Sequence, residues 1–230
     1  MSIAVIGCGR SGTNLVLEIL RGSSVLDASP QPENKDLCGG TYEPSYLTKC
    51  DTWYFLPEEL GETLEKNTHM KIVWTIRDPR DMILSKIKRG QPKSEGGDGS
   101  ESVSDDATVT GCLVDMTHMF MCYSHIKKNF PDRILVVRME DVLLNVEEET
   151  KRMCEFLDIP FENDMCDFPN RMRNKDKKKR YSKIDKSQLE VWKRWDSVYS
   201  GFFSENEYPI EEMYNSSVVF NIKKEFGYAE

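Results

Sequence analysis

The positions of apolar residues along the chain divide it into a few strands and helices. Three short apolar runs, residues 2–6, 71–76 and 134–138, have the length and composition of buried strands. Apolar residues at helical spacing follow each run; after the first run they are Leu15, Val16, Ile19 and Leu20. Parallel strands need a crossover connection, usually a helix, so this order predicts a three-layer α/β fold: a mostly parallel central sheet with helices on both faces.

Further helices are predicted between and after these strands. A proline followed by two acidic residues marks the start of a helix over residues 56–64. Residues 113–130 carry apolar side chains at three- and four-residue spacing, and Gly227 is a natural helix end. Ser187 and Glu190 have the spacing of a capping box, which predicts a helix with a tryptophan-rich apolar stripe.

Length and composition describe an ordinary soluble protein. The chain has 230 residues, so we predict a single domain over residues 1–230. Hydrophobic residues make up 39% and charged residues 30%, and the net charge of −8 argues against a general nucleic-acid binder. No apolar run approaches the ~20 residues of a transmembrane helix. The first strand begins at residue 2, so we expect a cytoplasmic protein with neither a signal peptide nor a membrane partner.

Cysteine and histidine usage gives little support to a metal site or a disulfide framework. The seven cysteines are an odd number, widely scattered, and no two form a C-x-x-C pair. We therefore expect free thiols in a reducing compartment. With only three histidines in the chain, a multi-histidine metal site is not expected.

The glycine-rich stretch from Gly7 to Gly12 joins the first strand to the first helix. A glycine turn at a helix N-terminus directs backbone N–H groups and the positive end of the helix dipole at one point, which suits a phosphate or sulfate. The stretch fits the dinucleotide pattern G-x-G-x-x-G, with Asp27 in the place of a ribose-binding acid. It also has the glycine spacing of a Walker A loop, but Thr13 follows Gly12 directly and the Walker lysine is absent.

A second turn with anion-binding character follows the strand at residues 71–76. Its sequence is Arg77-Asp-Pro-Arg-Asp-Met-Ile-Leu-Ser85. Asp78 is suited to cap the next helix and Pro79 to be its first residue. Arg77 therefore lies at the carboxyl end of a strand, the edge at which open α/β sheets bind ligands.

Together these two turns resemble the nucleotide-binding motifs of the sulfotransferase family, which uses 3′-phosphoadenosine 5′-phosphosulfate (PAPS). Arg10-Ser-Gly-Thr13 resembles the 5′-phosphosulfate loop, and Arg77 followed by Ser85 resembles the 3′-phosphate motif. Weaker similarities lie in residues 134–141, 154–160 and 225–228. The resemblance covers most of the chain except about residues 29–65 and 90–112, and it implies a P-loop NTPase-like fold.

The resemblance also implies roles for individual residues. Arg10 would stabilise the 5′-phosphate as the S–O bond breaks, and its neighbours would hold that phosphate, although Asn14 replaces a common threonine. Lys88 and Arg89 are candidates for a second cation, and a basic segment at about residues 170–186 would cover the nucleotide. The implied cofactor-binding residues are Arg10, Ser11, Gly12, Thr13, Asn14, Arg77, Ser85, Arg89, Ser182 and Lys183.

The implied reaction is in-line transfer of a sulfuryl group to a hydroxyl or amine on a small-molecule or carbohydrate acceptor, with no metal. Glu43 in Tyr42-Glu-Pro44 resembles the Glu-Pro of some carbohydrate sulfotransferases and is the candidate general base; a loop acid is the alternative. Residues at about 90–112 are expected to form a mobile loop, either an insertion or a lid over the acceptor. A small P-loop kinase and an NAD(P)-type dinucleotide-binding protein remain the other classes.

Overall fold

The computed structural model of the chain describes residues 1–29, 34–90, 108–167, 186–195 and 209–228. Several sequence predictions concern parts of the chain outside these residues. They are most of the loop at about 90–112, nearly all of the basic segment at 170–186 with Ser182 and Lys183, and the side chain of Arg89. The described chain forms two compact units. One combines Met1–Ile76 with Met121–Lys186, and the other combines Arg77–Phe120 with Ser187–Glu230.

The first unit is built on a parallel sheet. Its strands are β1 (Ser2–Gly7), β2 (Asp27–Ala28), β3 (Tyr46–Asp51), β4 (Met70–Ile76) and β5 (Ile134–Arg138). Their order in the sheet is β2-β3-β1-β4-β5, and every neighbouring pair is parallel. The predicted α/β fold with a mostly parallel sheet is therefore confirmed. The three strands expected from apolar runs are β1, β4 and β5, whereas β2 and β3 lie in a region where no strand was predicted.

Nine α-helices lie in the described residues. They are α1 (Thr13–Leu20), α2 (Pro57–Lys66), α3 (Pro79–Gly90), α4 (Val109–Asn129), α5 (Met139–Leu144), α6 (Val146–Leu157), α7 (Asn163–Cys166), α8 (Ile210–Tyr214) and α9 (Ser217–Phe226). The helices predicted over residues 56–64 and 113–130 are α2 and α4. Gly227 ends α9 with a left-handed φ of 70°. None of the described helices has both the length and the apolar composition of a membrane span.

Strand burial explains the core of the first unit. All six residues of β1 are buried, because neighbouring strands and helices cover the central strand of the sheet on every side. Trp74 of β4 is fully buried, and its ring lies 5.7 Å from that of Tyr123 in α4. Complete burial of side chains of this kind contributes about 1.5–3 kcal/mol each, so the sheet core is the main source of stability in this unit.

In the second unit, α3 begins as the sequence predicts. The backbone N–H of Arg80 donates to Oδ1 of Asp78 at 3.0 Å, and Pro79 is the first helical residue. The helix predicted from the capping box does not begin at Ser187, and most of its predicted later part lies outside the described residues. Residues 186–188 and 191–194 form two short 3-10 turns, and Glu190 between them has a left-handed φ of 49°.

All seven cysteines are free, as their number and spacing predicted. Burial raises the pKa of the Cys38 thiol to about 11 and that of Cys122 to about 12. Both thiols therefore stay protonated at neutral pH, which makes them poor nucleophiles.

Candidate active site

The loop between β1 and α1 has the geometry of an anion site. Two of its residues have left-handed backbone conformations, with φ of 74° at Arg10 and 100° at Gly12. The turn is closed by a hydrogen bond from the Ser11 N–H to the Cys8 carbonyl at 3.1 Å. Gly12 caps α1, so the unbonded N–H groups of the first helical turn and the positive end of the helix dipole face the end of the loop.

Ser11 joins the loop to the neighbouring strand β4. Its hydroxyl is fully buried and lies 2.8 Å from the hydroxyl of Thr75 in β4. Thr75 in turn donates to the Ile6 carbonyl at 3.4 Å. The Ser11 N–H is bonded to the Cys8 carbonyl, so both polar groups of Ser11 contact other parts of the protein and hold the shape of the loop.

Close contacts at two glycines fix the path of the loop. A Cβ on Gly7 would lie 2.3 Å from the Thr75 hydroxyl oxygen and 2.6 Å from the Thr75 carbonyl oxygen, a distance that no side chain can adopt. A Cβ on Gly12 would meet Met139 at 3.2 Å in addition to its unfavourable φ. Thr13 is buried, Arg10 is half-buried and Asn14 is exposed. The loop thus has a single path, with Arg10 and Asn14 on its more open side.

The second predicted motif lies on α3 and the turn before it. Arg77 follows the last residue of β4 and is 6% exposed, and Ser85 is 9% exposed. Nη2 of Arg77 donates to the Gln188 carbonyl at 2.8 Å and lies 3.6 Å from Oδ2 of Asp81. Asp81 and Ser85 are four residues apart on α3 and share a face of the helix, and Arg77, two residues before the helix, contacts Asp81. We call these three residues the row on α3.

Arg80, the other arginine of this turn, has a structural role. Its Nε and Nη2 donate to the two carboxylate oxygens of Asp78 at 2.9 and 2.7 Å. Its guanidinium also lies 3.4 Å from the ring centre of Trp192. Held by the helix cap on one side and an indole ring on the other, Arg80 fixes the turn that presents Arg77.

The structure does not bring Glu43 to the anion loop. Glu43 is exposed and precedes β3, beside Ser45, whose N–H donates to the Met1 carbonyl. β3 is parallel to β1, so Glu43 lies at the amino-terminal edge of the sheet and the loop at the carboxyl edge. The 6 residues of β3 separate these edges by about 20 Å at about 3.3 Å per residue. The structure therefore places Glu43 and the anion loop at opposite edges of the sheet.

Asp27 lies at that same amino-terminal edge. It pairs with Tyr46 at the start of β3, and β2 is not a neighbour of β1. A ribose-binding acid would instead lie at the carboxyl end of a strand beside β1. A cavity of about 630 Å³ also opens at the amino-terminal edge, with Met1, Pro44 and Met70 among its lining residues, so it is separate from the anion loop.

Asp51 is the carboxylate that the sheet places next to the loop. It is the last residue of β3 and pairs in register with Gly7, the last residue of β1. Its side chain is half-buried, and Oδ1 accepts from the Trp53 N–H at 3.3 Å. Because β3 was not recognised as a strand, the register between Asp51 and Gly7 was not predicted. The apolar and aromatic residues around Asp51 were the signal that could have indicated a strand there. Trp53 and Tyr54 are exposed just beyond the strand.

Within the described residues, no group of three or more histidine, cysteine, aspartate or glutamate side chains is arranged to hold a metal ion. Lys88 is half-exposed on α3.

Comparison with known proteins identifies the family. A model described as the sulfotransferase family matches residues 40–163, more than half of the chain. The matched stretch includes the turn from Arg77 to Ser85 and begins after the loop at Arg10. It also includes much of the region in which the sequence alone suggested no resemblance. No curated protein sequence matches the chain.

Solved structures of similar fold are distant in sequence. A sulfotransferase domain from the curacin biosynthetic pathway has a TM-score of 0.70 at 17% identity, covering 99% of this chain and 98% of its own. A sulfotransferase domain from the olefin synthase of Synechococcus PCC 7002 has a TM-score of 0.65 at 14% identity, covering 100% and 95%. The mouse sulfotransferase SULT7A1, solved in complex with PAP, has a TM-score of 0.58 at 12% identity, covering 97% and 88%. The family match and this shared fold lead to one conclusion: the chain belongs to the sulfotransferase family and is a transferase.

Proposed function

We propose that this transferase uses PAPS as its donor and transfers the sulfuryl group to a hydroxyl or amine of a small-molecule or carbohydrate acceptor. The observation that supports PAPS most strongly is the row of Arg77 and Ser85 on α3, inside the family-matched stretch. The mouse neighbour was solved with 3′-phosphoadenosine 5′-phosphate (PAP), the product that PAPS leaves behind. In this proposal the whole chain, residues 1–230, acts as a single sulfotransferase domain.

The loop at β1 is proposed to bind the 5′-phosphosulfate. The backbone N–H groups of Gly12, Thr13 and Asn14 open α1, where an anion is favoured by both hydrogen bonding and the helix dipole. The guanidinium of Arg10 supplies the full positive charge that the missing Walker lysine would supply in a kinase. Ser11 acts indirectly, because its hydroxyl holds the loop to Thr75.

The row on α3 is proposed to bind the 3′-phosphate. Arg77 offers a planar fork of donors that matches a phosphate, and Ser85 adds a hydroxyl on the helix that follows. Arg89, Ser182 and Lys183 stay in the proposed nucleotide site on the strength of the family resemblance. The reactive sulfur is attached to the 5′-phosphate, so binding both phosphates would also fix the position of the sulfur. Correct positioning of the reacting atom is the main requirement of an in-line transfer.

The proposed chemistry follows from these positions. The acceptor oxygen or nitrogen attacks sulfur and forms the new bond, while the bond from sulfur to the 5′-phosphate oxygen breaks. The negative charge that develops on the leaving phosphate is stabilised by Arg10 and the N–H groups of α1. A base must take the acceptor's proton, and we assign this role to Asp51, the carboxylate in register with Gly7. The products are PAP and the sulfated acceptor.

The two other classes considered from the sequence fit the fold less well. An NAD(P)-type site needs an acid at the carboxyl end of a strand beside β1, and Asp27 lies at the opposite edge. A P-loop kinase needs a lysine directly after Gly12, where this chain has Thr13.

Calorimetry with PAP, NAD, NADP and ATP tests the donor. We expect PAP to bind with the highest affinity of the four. Tighter binding of NAD, NADP or ATP would contradict the proposal. Transfer of labelled sulfate from PAPS to a panel of hydroxyl and amine compounds then tests the reaction and identifies the acceptor.

A further inference from the structure

Asp81 lies in the middle of the row on α3, in contact with Arg77 before the helix and one helical turn from Ser85. Its side chain is 1% exposed, and its two oxygens contact two different parts of the second unit. We propose that Asp81 is a positioning residue for the nucleotide's 3′-phosphate: it orients Arg77 and fixes the segment of residues 187–195, whose backbone holds the same guanidinium. This inference rests on the proposed function, because it assigns Asp81 to the proposed 3′-phosphate site.

The first contact concerns the orientation of Arg77. Its contacts with the Gln188 carbonyl and with Oδ2 of Asp81 both involve Nη2. In the described part of the chain, this leaves Nη1 and Nε as the edge of the guanidinium that can meet a phosphate. A guanidinium is rigid and planar, so fixing one nitrogen on two sides also fixes the direction of the other two.

The second contact fixes the segment that supplies the Gln188 carbonyl. Oδ1 of Asp81 accepts from the Trp192 N–H at 2.7 Å. The Trp192 ring lies against the guanidinium of Arg80 on one side, and its edge meets the ring of Tyr214 with centres 6.3 Å apart at 82°. The segment is thus held at Trp192 by three side chains. Gln188, four residues earlier, is held in place to accept from Arg77.

The chemistry of these contacts requires a carboxylate. Oδ1 of Asp81 accepts a hydrogen bond from the Trp192 N–H, and Oδ2 faces the Arg77 guanidinium as an ion pair at 3.6 Å. Burial, together with the nearby charges of Asp81 and Asp78, raises the pKa of the Tyr214 hydroxyl, which keeps it neutral beside them. An asparagine at position 81 would have one acceptor oxygen and one donor NH₂ group. Its NH₂ group would then face either the Arg77 guanidinium or the Trp192 N–H, and two donors cannot bond to each other.

Asp81→Asn is therefore the test, with Asp115→Asn as the matched control. Asp115 is a buried aspartate on α4 in the same unit, but its carboxylate pairs with Lys86. The readout is the ratio of two dissociation constants from calorimetry, that of adenosine 5′-phosphate to that of PAP, which differ only in the 3′-phosphate. We expect Asp81→Asn to reduce this ratio about tenfold, the worth of one charge-assisted hydrogen bond. Asp115→Asn should change the ratio less than about twofold.

Each outcome decides between the proposal and a different role. An equal loss of affinity for both nucleotides would make Asp81 a residue of general stability. Tighter PAP binding would mean that Asp81 only reduces the positive charge of Arg77. Either result overturns the inference. The proposed function fails separately, if the unaltered protein itself does not distinguish PAP from adenosine 5′-phosphate.

Hydrogen exchange in the unaltered protein gives a second test that does not depend on the variant folding. If the 3′-phosphate, Arg77, Asp81 and the Trp192 N–H form one connected unit, PAP should slow exchange at the Trp192 amide more than adenosine 5′-phosphate does at equal saturation. Equal protection by the two nucleotides would show that the segment is not coupled to the 3′-phosphate, and would overturn the proposal.

Discussion

The hydroxyl oxygens of Ser11 and Thr75 lie 2.8 Å apart, and this contact joins the anion loop to the neighbouring strand β4. Ser11 is completely buried and Thr75 is 1% exposed, so water cannot replace the bond. β4 is also the strand that ends immediately before Arg77. The sheet therefore fixes the shape of the loop through the Ser11 side chain, for which the family resemblance implied a role in binding the nucleotide.

Thr75→Val should lower the free energy of unfolding by about 1–3 kcal/mol, because it leaves the buried Ser11 hydroxyl without its partner. Adding Ser11→Ala should recover part of this loss, since the orphaned hydroxyl is then gone. Thr48 gives a matched control: it is equally buried, in β3, and its hydroxyl has no hydrogen-bond partner within the described residues. Thr48→Val should be neutral or stabilising. Chemical denaturation measures all three, and equal losses for the two single valine variants would contradict the prediction.

Arg10→Ala should reduce kcat about 100-fold or more, the usual effect of removing one donor that stabilises developing negative charge. Arg10→Lys is the matched variant because it keeps the charge and the same Cβ in the left-handed backbone. It should retain substantial activity. Steady-state kinetics with PAPS measures both. If the alanine variant had nearly normal kcat, the loop would only bind the donor and another cation would serve the leaving group.

Arg77→Ala should remove the preference for PAP over adenosine 5′-phosphate, which we expect to be at least about tenfold in the unaltered protein. Arg77→Lys should recover only part of it, because lysine keeps the charge and loses the planar fork. Calorimetry gives the two dissociation constants for each variant, and circular dichroism checks that the protein remains folded. A preference unchanged by the alanine substitution would remove Arg77 from the 3′-phosphate site.

The sequence predicted the parts of the fold in which local pattern and tertiary environment agree. β1, β4 and β5 are predictable because parallel strands covered on both faces are continuous apolar runs. β3 was missed because Thr48 and Lys49, although buried, interrupt its apolar run. Without β3, the register between Asp51 and Gly7 could not be inferred.

Tertiary contacts also overrode a local signal after residue 186. Ser187 and Glu190 have capping-box spacing, yet the Trp192 N–H binds Asp81 and Glu190 takes a left-handed conformation. A hydrogen bond to a residue more than a hundred positions earlier is invisible to local pattern. The two binding turns were recognisable for the opposite reason, since each is a short sequence in which glycine, proline, capping aspartate and arginine stand together.

The general base is decided by comparing two acidic residues at opposite ends of one strand. Asp51→Asn should reduce kcat by about 10²–10⁴-fold, the usual contribution of a general base, with little change in the affinity for PAP. Asparagine can still accept from the Trp53 N–H, so the 3-10 turn after β3 should persist and the loss should be chemical. Glu43→Gln is the matched control, an acid made neutral at the amino-terminal end of the same strand, and it should change kcat at most a few-fold. The acidic limb of the pH profile of kcat should disappear in Asp51→Asn and persist in Glu43→Gln. The reverse pattern would return the base to Glu43 and would require the acceptor to bind at the amino-terminal edge of the sheet, about 20 Å from the loop.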